Sequence, residues 1–415
     1  MNSKGKLVII LASLFFASLL LRFWWTQLDL PLHDDEIEYH FLAQQILQGN
    51  GFVNEYGQPT AWRTPGYPLF VASIYKLFGT EISSMRIILI IFSASISIFV
   101  YLLTYFLFRR HITAFISSLG WTFLPNSIFL AGNLWGESVT AFFLVVSFVL
   151  VINFKRKVNK VSFIATIVSG LLVGMAILTR GYMIFIILAL PFYLLFYEKS
   201  KKLAMVCLIF SALIPSIWLM RNAIVLHSFT LSTETAQVIW HGSNRWARGG
   251  WNGEWFNHNS EQKDYLIKKY PGFFDQLTDG ERSKIYLKEA INEIPNNPLR
   301  ILWLTPRKIA IFLSPSSYLG FDWIYLFSLP FAFSGFFILL RSKTHRPKLW
   351  LLAFPILCVA VVCVITFGDP RFRHPVDFCF LILASVGLVD IIDKLKVLVK
   401  TKSPSAARPP ESWVW

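Results

Sequence analysis

Long apolar runs separated by short polar connections dominate the hydropathy pattern of this chain. A helix that crosses a membrane needs about 20 mainly apolar residues, and ten segments approach that length. The first ends at Arg22-Phe23-Trp24-Trp25 and lacks a small-residue cleavage site, so we expect an uncleaved signal anchor with an aromatic belt at the interface. The predicted spans are 7–25, 86–108, 112–131, 134–154, 161–179, 182–197, 203–220, 323–340, 349–366 and 375–393.

Lys and Arg residues are concentrated in every second connection between these spans. Cytoplasmic loops of membrane proteins carry an excess of Lys and Arg, so this alternation predicts cytoplasmic positions for those connections and for both termini. The basic connections are Lys4 and Lys6, Arg109-Arg110, 155–160, 199–202, 341–348 and 394–402. The opposite connections contain most of the acids and are therefore expected on the outer face.

The outer connections are much larger than the cytoplasmic ones. The first covers about 26–85 and the second about 221–322, in which the stretch 299–313 is predicted as a surface helix interrupted by Pro306 and Pro315. Loops on a rigid scaffold often carry function, so we expect any chemistry on the outer face. The predicted units are a transmembrane module with the first loop (1–220), an outer region with a juxtamembrane helix (221–322), C-terminal transmembrane helices (323–395) and a disordered cytoplasmic tail (396–415).

The composition excludes a water-soluble fold. Hydrophobic residues make up 55% of the 415 residues and charged residues only 15%, against about 25% charged in soluble domains. Disordered, coiled-coil and disulfide-scaffold proteins are excluded on the same ground. The four Cys residues all lie in apolar runs and are expected to be buried thiols. The net charge of +15 follows from the basic cytoplasmic loops and does not require a nucleic-acid partner.

The first outer loop begins with an acidic cluster, Asp34-Asp35-Glu36-Ile37-Glu38. Apolar residues then recur at helical spacing up to Gly49-Asn50-Gly51, which predicts a short amphipathic helix from about Asp35 with a glycine end signal. Acids at a helix start are also ordinary capping residues. The nearby Arg63 offers a fork of N–H donors suited to phosphate, which favours a binding role for the loop.

Several segments of the chain occur in a recognisable order. The first loop contains Asp35-Glu36, Tyr39, Ala43, Gly49-Asn50-Gly51-Phe52 and Arg63-Thr64-Pro65-Gly66-Tyr67-Pro68. Downstream follow Gly132-Asn133-Leu134-Trp135-Gly136-Glu137, the run from Gly170 to Thr179-Arg180, Trp218 with Arg221-Asn222, His241-Gly242-Ser243-Asn244, and Arg371-Phe372-Arg373-His374-Pro375. This set resembles the bacterial family 39 glycosyltransferases, which are relatives of the protein O-mannosyltransferases and of the lipid A aminoarabinose transferase.

The resemblance implies an all-α polytopic membrane protein of GT-C type, with about ten transmembrane helices, amphipathic helices on the outer face and a modest outer loop domain. It implies an inverting glycosyltransferase of the plasma membrane that moves a sugar from a polyprenyl phosphate to a glycolipid, polysaccharide or protein acceptor. Asp35 would be the general base, and Glu36 would assist it. The donor phosphate would contact Arg63, Arg180, Arg371 and Arg373. Substrates would also contact Tyr67, Glu137 and Asn244.

Other interpretations of the same residues stay open. Glu137 could form a salt bridge with Arg180 or Arg221 instead of binding substrate, and each outer arginine could reach the interface or pair with an acid. A divalent metal ion remains open as a cofactor, although no His has tight ligand spacing with the outer acids and we assign no metal ligand. The histidines concerned are His33, His40, His241 and His258. Trp240, Trp246, Trp251 and Trp255 suit either an interfacial belt or a surface that stacks on sugar or lipid.

Two other functions compete with the transferase. A polymerase or ligase of lipid-linked oligosaccharides would also use a large outer loop, but we do not expect its acids directly after the first span. A flippase or transporter of lipid-linked sugars would be expected to contain broken or charged helices at mid-membrane and internal repeats, and neither is evident here. The sequence alone does not identify the sugar, the acceptor, the oligomeric state or the organism.

Overall fold

The fold is almost entirely helical, as the hydropathy pattern predicts. The computed structural model describes residues 3–26, 28, 30–153, 160–251, 260–317 and 320–402. In this part of the chain the sheet content is one small antiparallel hairpin, β1 (Ser316–Ser317) with β2 (Gly320–Phe321). The predicted all-α membrane architecture is therefore confirmed.

Seven helices among the described residues are long and apolar enough to cross a membrane. Apolar residues lie on every face of these helices. This is typical of membrane spans rather than of helices that pack on one side against the core of a soluble protein. They are α1 (Ser3–Trp25), α4 (Ile82–Phe108), α8 (Lys160–Thr179), α10 (Lys201–Val225), α15 (Trp323–Arg341), α16 (Arg346–Ile365) and α18 (Asp377–Lys402), the last continuing an apolar stretch that starts at Pro370.

The predicted count of ten spans is not confirmed, because three predicted spans form shorter elements. The stretch 112–131 divides into α5 (His111–Phe123) and α6 (Pro125–Phe129), since Pro125 has no N–H to continue the first helix. The stretch 134–154 becomes α7 (Glu137–Asn153). The stretch 182–197 becomes a 3-10 helix (Gly181–Leu188) followed by α9 (Ala189–Phe196).

The segments predicted to lie on the outer face contain the shorter amphipathic helices. In the first loop, α2 (Asp35–Leu47) has the predicted start and ends before Gly49, whose φ of +81° is a left-handed conformation that favours glycine. The other outer helices are α3 (Gly66–Phe78), α11 (Glu234–Ser243), α12 (Glu261–Lys269), α13 (Asp279–Asn296) and α14 (Pro298–Phe312). The short α17 (Pro370–Arg373) and a 3-10 turn (His374–Val376) lead into α18.

Two details of the C-terminal half differ from the sequence prediction. The stretch 299–313 is one helix, α14, that continues through Pro306 and ends before Pro315. The tail predicted as disordered from residue 396 instead continues α18 to Lys402, and its remainder, 403–415, lies outside the described residues.

Arg22 does not lie at an exposed interface as predicted but is fully buried near the C-terminal end of α1. Its guanidinium donates to the hydroxyls of Ser18, Ser93 and Ser127 and to two carbonyls at the end of α5. A buried charge is tolerated only when its donors are satisfied, and here the acceptors lie in α1, α4, α5 and α6, which the guanidinium joins. The aromatic part of the prediction fits Trp24, which is 80% exposed.

Small residues bring two pairs of helices into backbone contact. A Cβ on Gly335 of α15 would lie 2.0 Å from the carbonyl oxygen of Leu383 in α18, and a Cβ on Gly387 would lie 2.1 Å from that of Phe331. Gly170 of α8 approaches α10 in the same way, because a Cβ there would lie 2.8 Å from the carbonyl oxygen of Cys207. Such close approach supplies van der Waals contact where lipid offers no hydrophobic driving force.

We expect Gly335→Ala to separate α15 from α18 and to destabilise the purified protein by about 1–3 kcal/mol, because the added methyl group overlaps backbone that cannot move independently. Thermal unfolding in detergent measures this change. Ala17→Val, on an exposed face of α1, is the control and should leave the unfolding temperature unchanged. Equal unfolding temperatures for Gly335→Ala and the native protein would contradict this packing.

Candidate functional site: an arginine–carboxylate network

The first helical residue of the first outer loop, Asp35, lies between two arginines. One carboxylate oxygen is 2.7 Å from Arg63 Nη2 and the other is 2.9 Å from Arg371 Nη2. Arg63 belongs to the same loop, whereas Arg371 lies 336 residues away in the turn before the last span. The Asp35 side chain remains 22% exposed, so it is accessible to a ligand despite both ion pairs.

Arg63 contacts two further carboxylates. Its Nε lies 2.5 Å from a Glu38 oxygen, one helical turn after Asp35. Its Nη1 donates to both oxygens of Glu234, at 2.9 and 2.8 Å. Since Glu234 is the first residue of α11, this guanidinium joins the first outer loop to the second.

A second group of ion pairs continues the same network. Arg371 Nε donates to one oxygen of Glu137, and Arg180 Nη2 lies 2.6 Å from the other oxygen. Arg180 Nη1 also donates to the hydroxyl of Tyr39 at 2.8 Å. The arginine–carboxylate network therefore consists of Asp35, Glu38, Arg63, Glu137, Arg180, Glu234 and Arg371.

Aromatic side chains cover one side of the network. The Arg371 guanidinium carbon lies 4.0 Å from the centre of the Trp135 ring, a cation–π contact. Arg63 and Arg180 both lie 5.6 Å from the centre of the Tyr39 ring. These rings exclude water from the guanidinium faces and leave their N–H edges for acidic groups.

The ends of helices bring these charges together. Asp35, Glu137 and Glu234 each begin a helix, where the positive end of the helix dipole favours an acid. Gly66 begins α3 so close to α8 that a Cβ would lie 2.5 Å from the Leu178 carbonyl carbon. This contact fixes the segment of Arg63 against the end of α8, which Arg180 directly follows.

The network lowers the pKa of Asp35. Burial by itself would raise the pKa of this carboxyl, but Arg63 and Arg371, with help from Arg180, lower it well below the ordinary value of 3.8. Burial raises the pKa of Tyr39 to about 12, so its hydroxyl stays neutral beside Arg180. Asp35 is therefore an ionised carboxylate at every physiological pH.

Glu36, predicted to assist Asp35, does not join the network. Its side chain is fully buried, and its oxygens accept hydrogen bonds from the backbone N–H of Leu134 at 2.7 Å and of His33 at 3.2 Å. Successive helical residues point about 100° apart, so Asp35 and Glu36 face different neighbours. Glu36 thus attaches α2 to the segment before Glu137.

Arg373, predicted to bind donor phosphate, points away from Arg371. Its Nε lies 2.7 Å from Asp377 Oδ1, and its Nη1 donates to the carbonyls of Phe312 and Ser314, each at 3.0 Å. The side chain is fully buried and its guanidinium lies over the Tyr325 ring. The structure places it as an internal support of the turn that carries Arg371.

Two predicted substrate contacts also lie outside the network. Tyr67 is fully buried and packs edge-on against Tyr39, with 4.8 Å between ring centres. Asn244 is fully buried in the second outer region, where its side chain accepts the Trp246 N–H at 2.9 Å. Glu137 and Arg180 do belong to the network, and they form the salt bridge that was one of the two interpretations of Glu137.

Arg221, the other suggested partner of Glu137, instead fixes the first loop. Its Nη1 donates to the Thr60 carbonyl at 2.7 Å and its Nη2 to the Phe52 carbonyl at 3.3 Å. Both interactions shape the segment that ends at Arg63. The contribution of Arg221 to the site is therefore indirect.

The described residues offer no obvious metal site. Among them, no group of three His, Cys, Asp or Glu side chains converges closely enough to hold a metal ion. His33 contacts Glu36, His40 contacts Tyr75, and His241 contacts Gln262, so each of these histidines has a protein side chain as its partner. His258 and Trp255 lie outside the described residues.

Glu234 is the member of the network that the sequence did not indicate. It follows Ser232-Thr233 in a stretch without a recognised motif. Nothing in the local sequence distinguishes Glu234 from the polar residues beside it. Its distance of 171 positions from Arg63 hides the pairing from any local pattern. Glu38 and Tyr39 were visible as part of the acidic motif, but their partners were not.

Comparisons with known proteins agree with this architecture. Residues 62–220 match the dolichyl-phosphate-mannose-protein mannosyltransferase family. The resemblance to family 39 glycosyltransferases is thereby confirmed in the segment that contains Arg63, Glu137 and Arg180. A comparison with curated protein sequences found no significant match.

Two structures of AglB share the fold at low sequence identity. The archaeal oligosaccharyltransferase AglB from Archaeoglobus fulgidus, in complex with an inhibitory peptide and a dolichol-phosphate, is 14% identical with a TM-score of 0.55, covering 99% of this chain and 53% of AglB. Its apo form is also 14% identical, with a TM-score of 0.56 and the same coverage. ArnT from Cupriavidus metallidurans, bound to undecaprenyl phosphate, is 12% identical with a TM-score of 0.40, covering 99% of this chain and 82% of ArnT.

The fold is therefore that of the GT-C membrane glycosyltransferases, as the sequence motifs predicted. The chain spans about half the length of the AglB structures that it matches. The likeness to AglB extends over nearly the whole chain, including the segments that carry the network.

The lowered pKa of Asp35 predicts how its contribution to stability depends on pH. A carboxyl with a lowered folded pKa stabilises the fold fully above its unfolded value, near 3.8, and loses that effect as pH falls through the folded pKa. The difference in unfolding temperature between native protein and Asp35→Asn should therefore be constant from about pH 7 to about pH 4 and shrink below that. The exposed Asp34→Asn is the control, and a difference that already shrinks near pH 6 would contradict the ion pairs.

Proposed function

We propose that this protein is an inverting glycosyltransferase of the plasma membrane. It moves one sugar from a polyprenyl phosphate to an acceptor hydroxyl on the outer face. The observation that carries the proposal is the partly exposed Asp35 carboxylate held between Arg63 and Arg371. This arrangement provides a base and two phosphate-binding cations in one place.

Arg63 and Arg371 receive the donor phosphate in this proposal. Guanidinium groups bind phosphate oxygens through pairs of charge-assisted hydrogen bonds, and these bonds strengthen as the leaving phosphate gains charge. Both arginines now use their N–H donors on carboxylates, so the lipid phosphate replaces part of those contacts. Trp135 holds the Arg371 guanidinium in place during this exchange.

Asp35 then acts as the general base. The acceptor oxygen attacks the anomeric carbon from the face opposite the phosphate, and the bond between that carbon and the phosphate oxygen breaks with its electron pair. The acceptor proton moves to an Asp35 oxygen, and the lipid phosphate leaves as an anion. When the phosphate attracts Arg63 and Arg371, the pKa of Asp35 rises towards its ordinary value, which makes it a better base.

The remaining network residues hold these groups in position. Glu137 is the shared acceptor of Arg180 and Arg371, and Arg180 in turn fixes the Tyr39 hydroxyl. We propose that Arg180 positions Glu137. The donor phosphate then binds to Arg63 and Arg371, the two arginines that contact Asp35. Glu36 and Arg373 support the segments that carry Asp35 and Arg371.

Three observations support a lipid phosphate as donor carrier. The chain contains several helices suited to a membrane, and the network lies in the connections between them and at the ends of helices. The description of the matched family names dolichyl-phosphate-mannose, a sugar carried on a lipid phosphate. An AglB structure of the same fold was determined with a dolichol-phosphate. The acceptor can be a glycolipid, an envelope polysaccharide or a protein.

The contacts between connections support the proposed grouping of the connections on two sides of the membrane, and the excess of Lys and Arg in one group supports a cytoplasmic position for that group. Arg110 and Asp393, both in segments predicted to be at the cytoplasmic side, form a salt bridge at 2.7 Å. Lys348 lies over the Phe108 ring in the same group of connections. The predicted outer connections meet separately in the arginine–carboxylate network. We therefore propose cytoplasmic termini, an outer active site, and units at 1–220, 221–322 and 323–395 with the catalytic loop in the first.

Reconstitution into lipid vesicles with a radiolabelled polyprenyl-phosphate sugar tests the function. Transfer of one sugar to an added acceptor supports the proposal, whereas chain growth would indicate a polymerase or ligase. Movement of intact labelled lipid between leaflets without transfer would indicate a flippase. Mass spectrometry of envelope glycans and lipids with and without the protein identifies the acceptor.

We expect Asp35→Asn to lower the rate of transfer by about a hundredfold to ten-thousandfold, because the amide cannot accept the acceptor proton. Binding of the lipid phosphate should persist, since both arginines remain. The matched control is Asp34→Asn, which removes a neighbouring exposed carboxylate at a positive φ that Asn tolerates, and it should keep native activity. Native rates for Asp35→Asn would exclude this residue as the base.

We expect Arg63→Gln and Arg371→Gln each to raise the KM for the lipid donor by about tenfold to a hundredfold, because each removes charge-assisted hydrogen bonds to phosphate. Initial transfer rates over a range of donor concentrations measure this change. Arg341→Gln, at the exposed C-terminal end of α15, is the control. An unchanged KM in both network variants would place the donor phosphate elsewhere.

A further inference from the structure

Glu234 occupies the part of Arg63 that a phosphate would use. Its two carboxylate oxygens lie 2.9 and 2.8 Å from Arg63 Nη1. Carboxylate and phosphate oxygens accept from the same guanidinium N–H groups in similar geometry. Glu234 and a lipid phosphate therefore cannot both hold this edge of Arg63.

The charges of the network also oppose simple addition of a phosphate. Four carboxylates share three guanidinium groups, so the network is already negative. A phosphate would add further negative charge close to these carboxylates, and the repulsion between like charges opposes its binding. One carboxylate must withdraw from its arginine for the donor to bind.

Glu234 can withdraw more easily than Asp35. Asp35 contacts two arginines, whereas Glu234 contacts only Arg63 within the network. The backbone beside Glu234 is fixed, because Thr233 N–H donates to the Ala61 carbonyl at 2.8 Å. A rotation of the Glu234 side chain therefore suffices, and α11 need not move. Burial also raises the pKa of Glu234, and the attraction of Arg63 does not cancel this effect.

We propose that Glu234 is an exchangeable ligand of Arg63, whose carboxylate the donor phosphate replaces when the lipid binds. This inference rests on the proposed function and adds a residue of the second outer loop to it. Before binding, Glu234 keeps the Arg63 guanidinium extended beside Asp35. During binding, it competes with the phosphate and so weakens donor affinity.

Binding of undecaprenyl phosphate to the full-length protein in detergent, followed by native mass spectrometry, tests the exchange. Undecaprenol, which lacks the phosphate, gives the background. We expect Glu234→Gln to lower the Kd about tenfold, because a neutral amide competes poorly for a guanidinium. Glu38→Gln removes an equal charge from the Nε edge of the same arginine and should lower the Kd less than Glu234→Gln does. Asp34→Asn, which removes an exposed carboxylate outside the network, is the control and should change the Kd by less than about twofold.

Glu234→Asp is a second variant that keeps the charge. Its shorter side chain lengthens the contact with Arg63, so we expect a Kd between those of the native protein and Glu234→Gln. If Glu234→Gln unfolds at a lower temperature than the native protein, the Kd of Glu234→Asp is used instead to test the exchange.

An unchanged or higher Kd in a stably folded Glu234 variant would overturn the exchange and leave the glycosyltransferase proposal intact. Glu234 would then only hold Arg63 in position. If the native protein binds undecaprenyl phosphate no better than undecaprenol, the proposed function itself fails, and the exchange fails with it. Tighter binding by Glu38→Gln than by Glu234→Gln would overturn the assignment of the exchange to Glu234.

Discussion

Arg371 forms the interaction on which the geometry of the site depends. Its guanidinium joins Asp35 in the first outer loop to Glu137 at the start of α7, while its backbone belongs to the turn before the last span. An arginine suits this place because its planar fork bonds two carboxylates at once while its face rests on Trp135. Without it, the two groups of ion pairs would be separate.

The surrounding fold fixes the position of Arg371 and the direction of its side chain. Arg373, two residues later, is buried and bound to Asp377 and to two carbonyls near the end of α14. Residues two apart in such a tight turn point in different directions, so one arginine faces the network and the other the interior. These partners offset part of the cost of burying the Arg373 guanidinium.

The network also explains how a membrane protein assembles a polar site at the ends of its spans. Each charge is buried only in part or is paired, which limits the cost of removing it from water. The pairing lowers the pKa of Asp35 and keeps its carboxylate ionised. In the proposed reaction, the donor phosphate attracts these arginines away from Asp35 and so raises the pKa of that carboxyl.

The sequence by itself determined the membrane class, most of the spans, the helix that starts at Asp35 and the motifs that indicate the GT-C fold. These follow from local patterns, because hydropathy and end signals act over a few turns of helix. Only the tertiary structure decided that Asp35 faces the arginines while Glu36 faces Leu134, that Arg371 and not Arg373 enters the network, and that Glu234 joins it. Those outcomes depend on side-chain direction and on contacts between residues far apart in the chain, and neither leaves a periodic trace in the sequence.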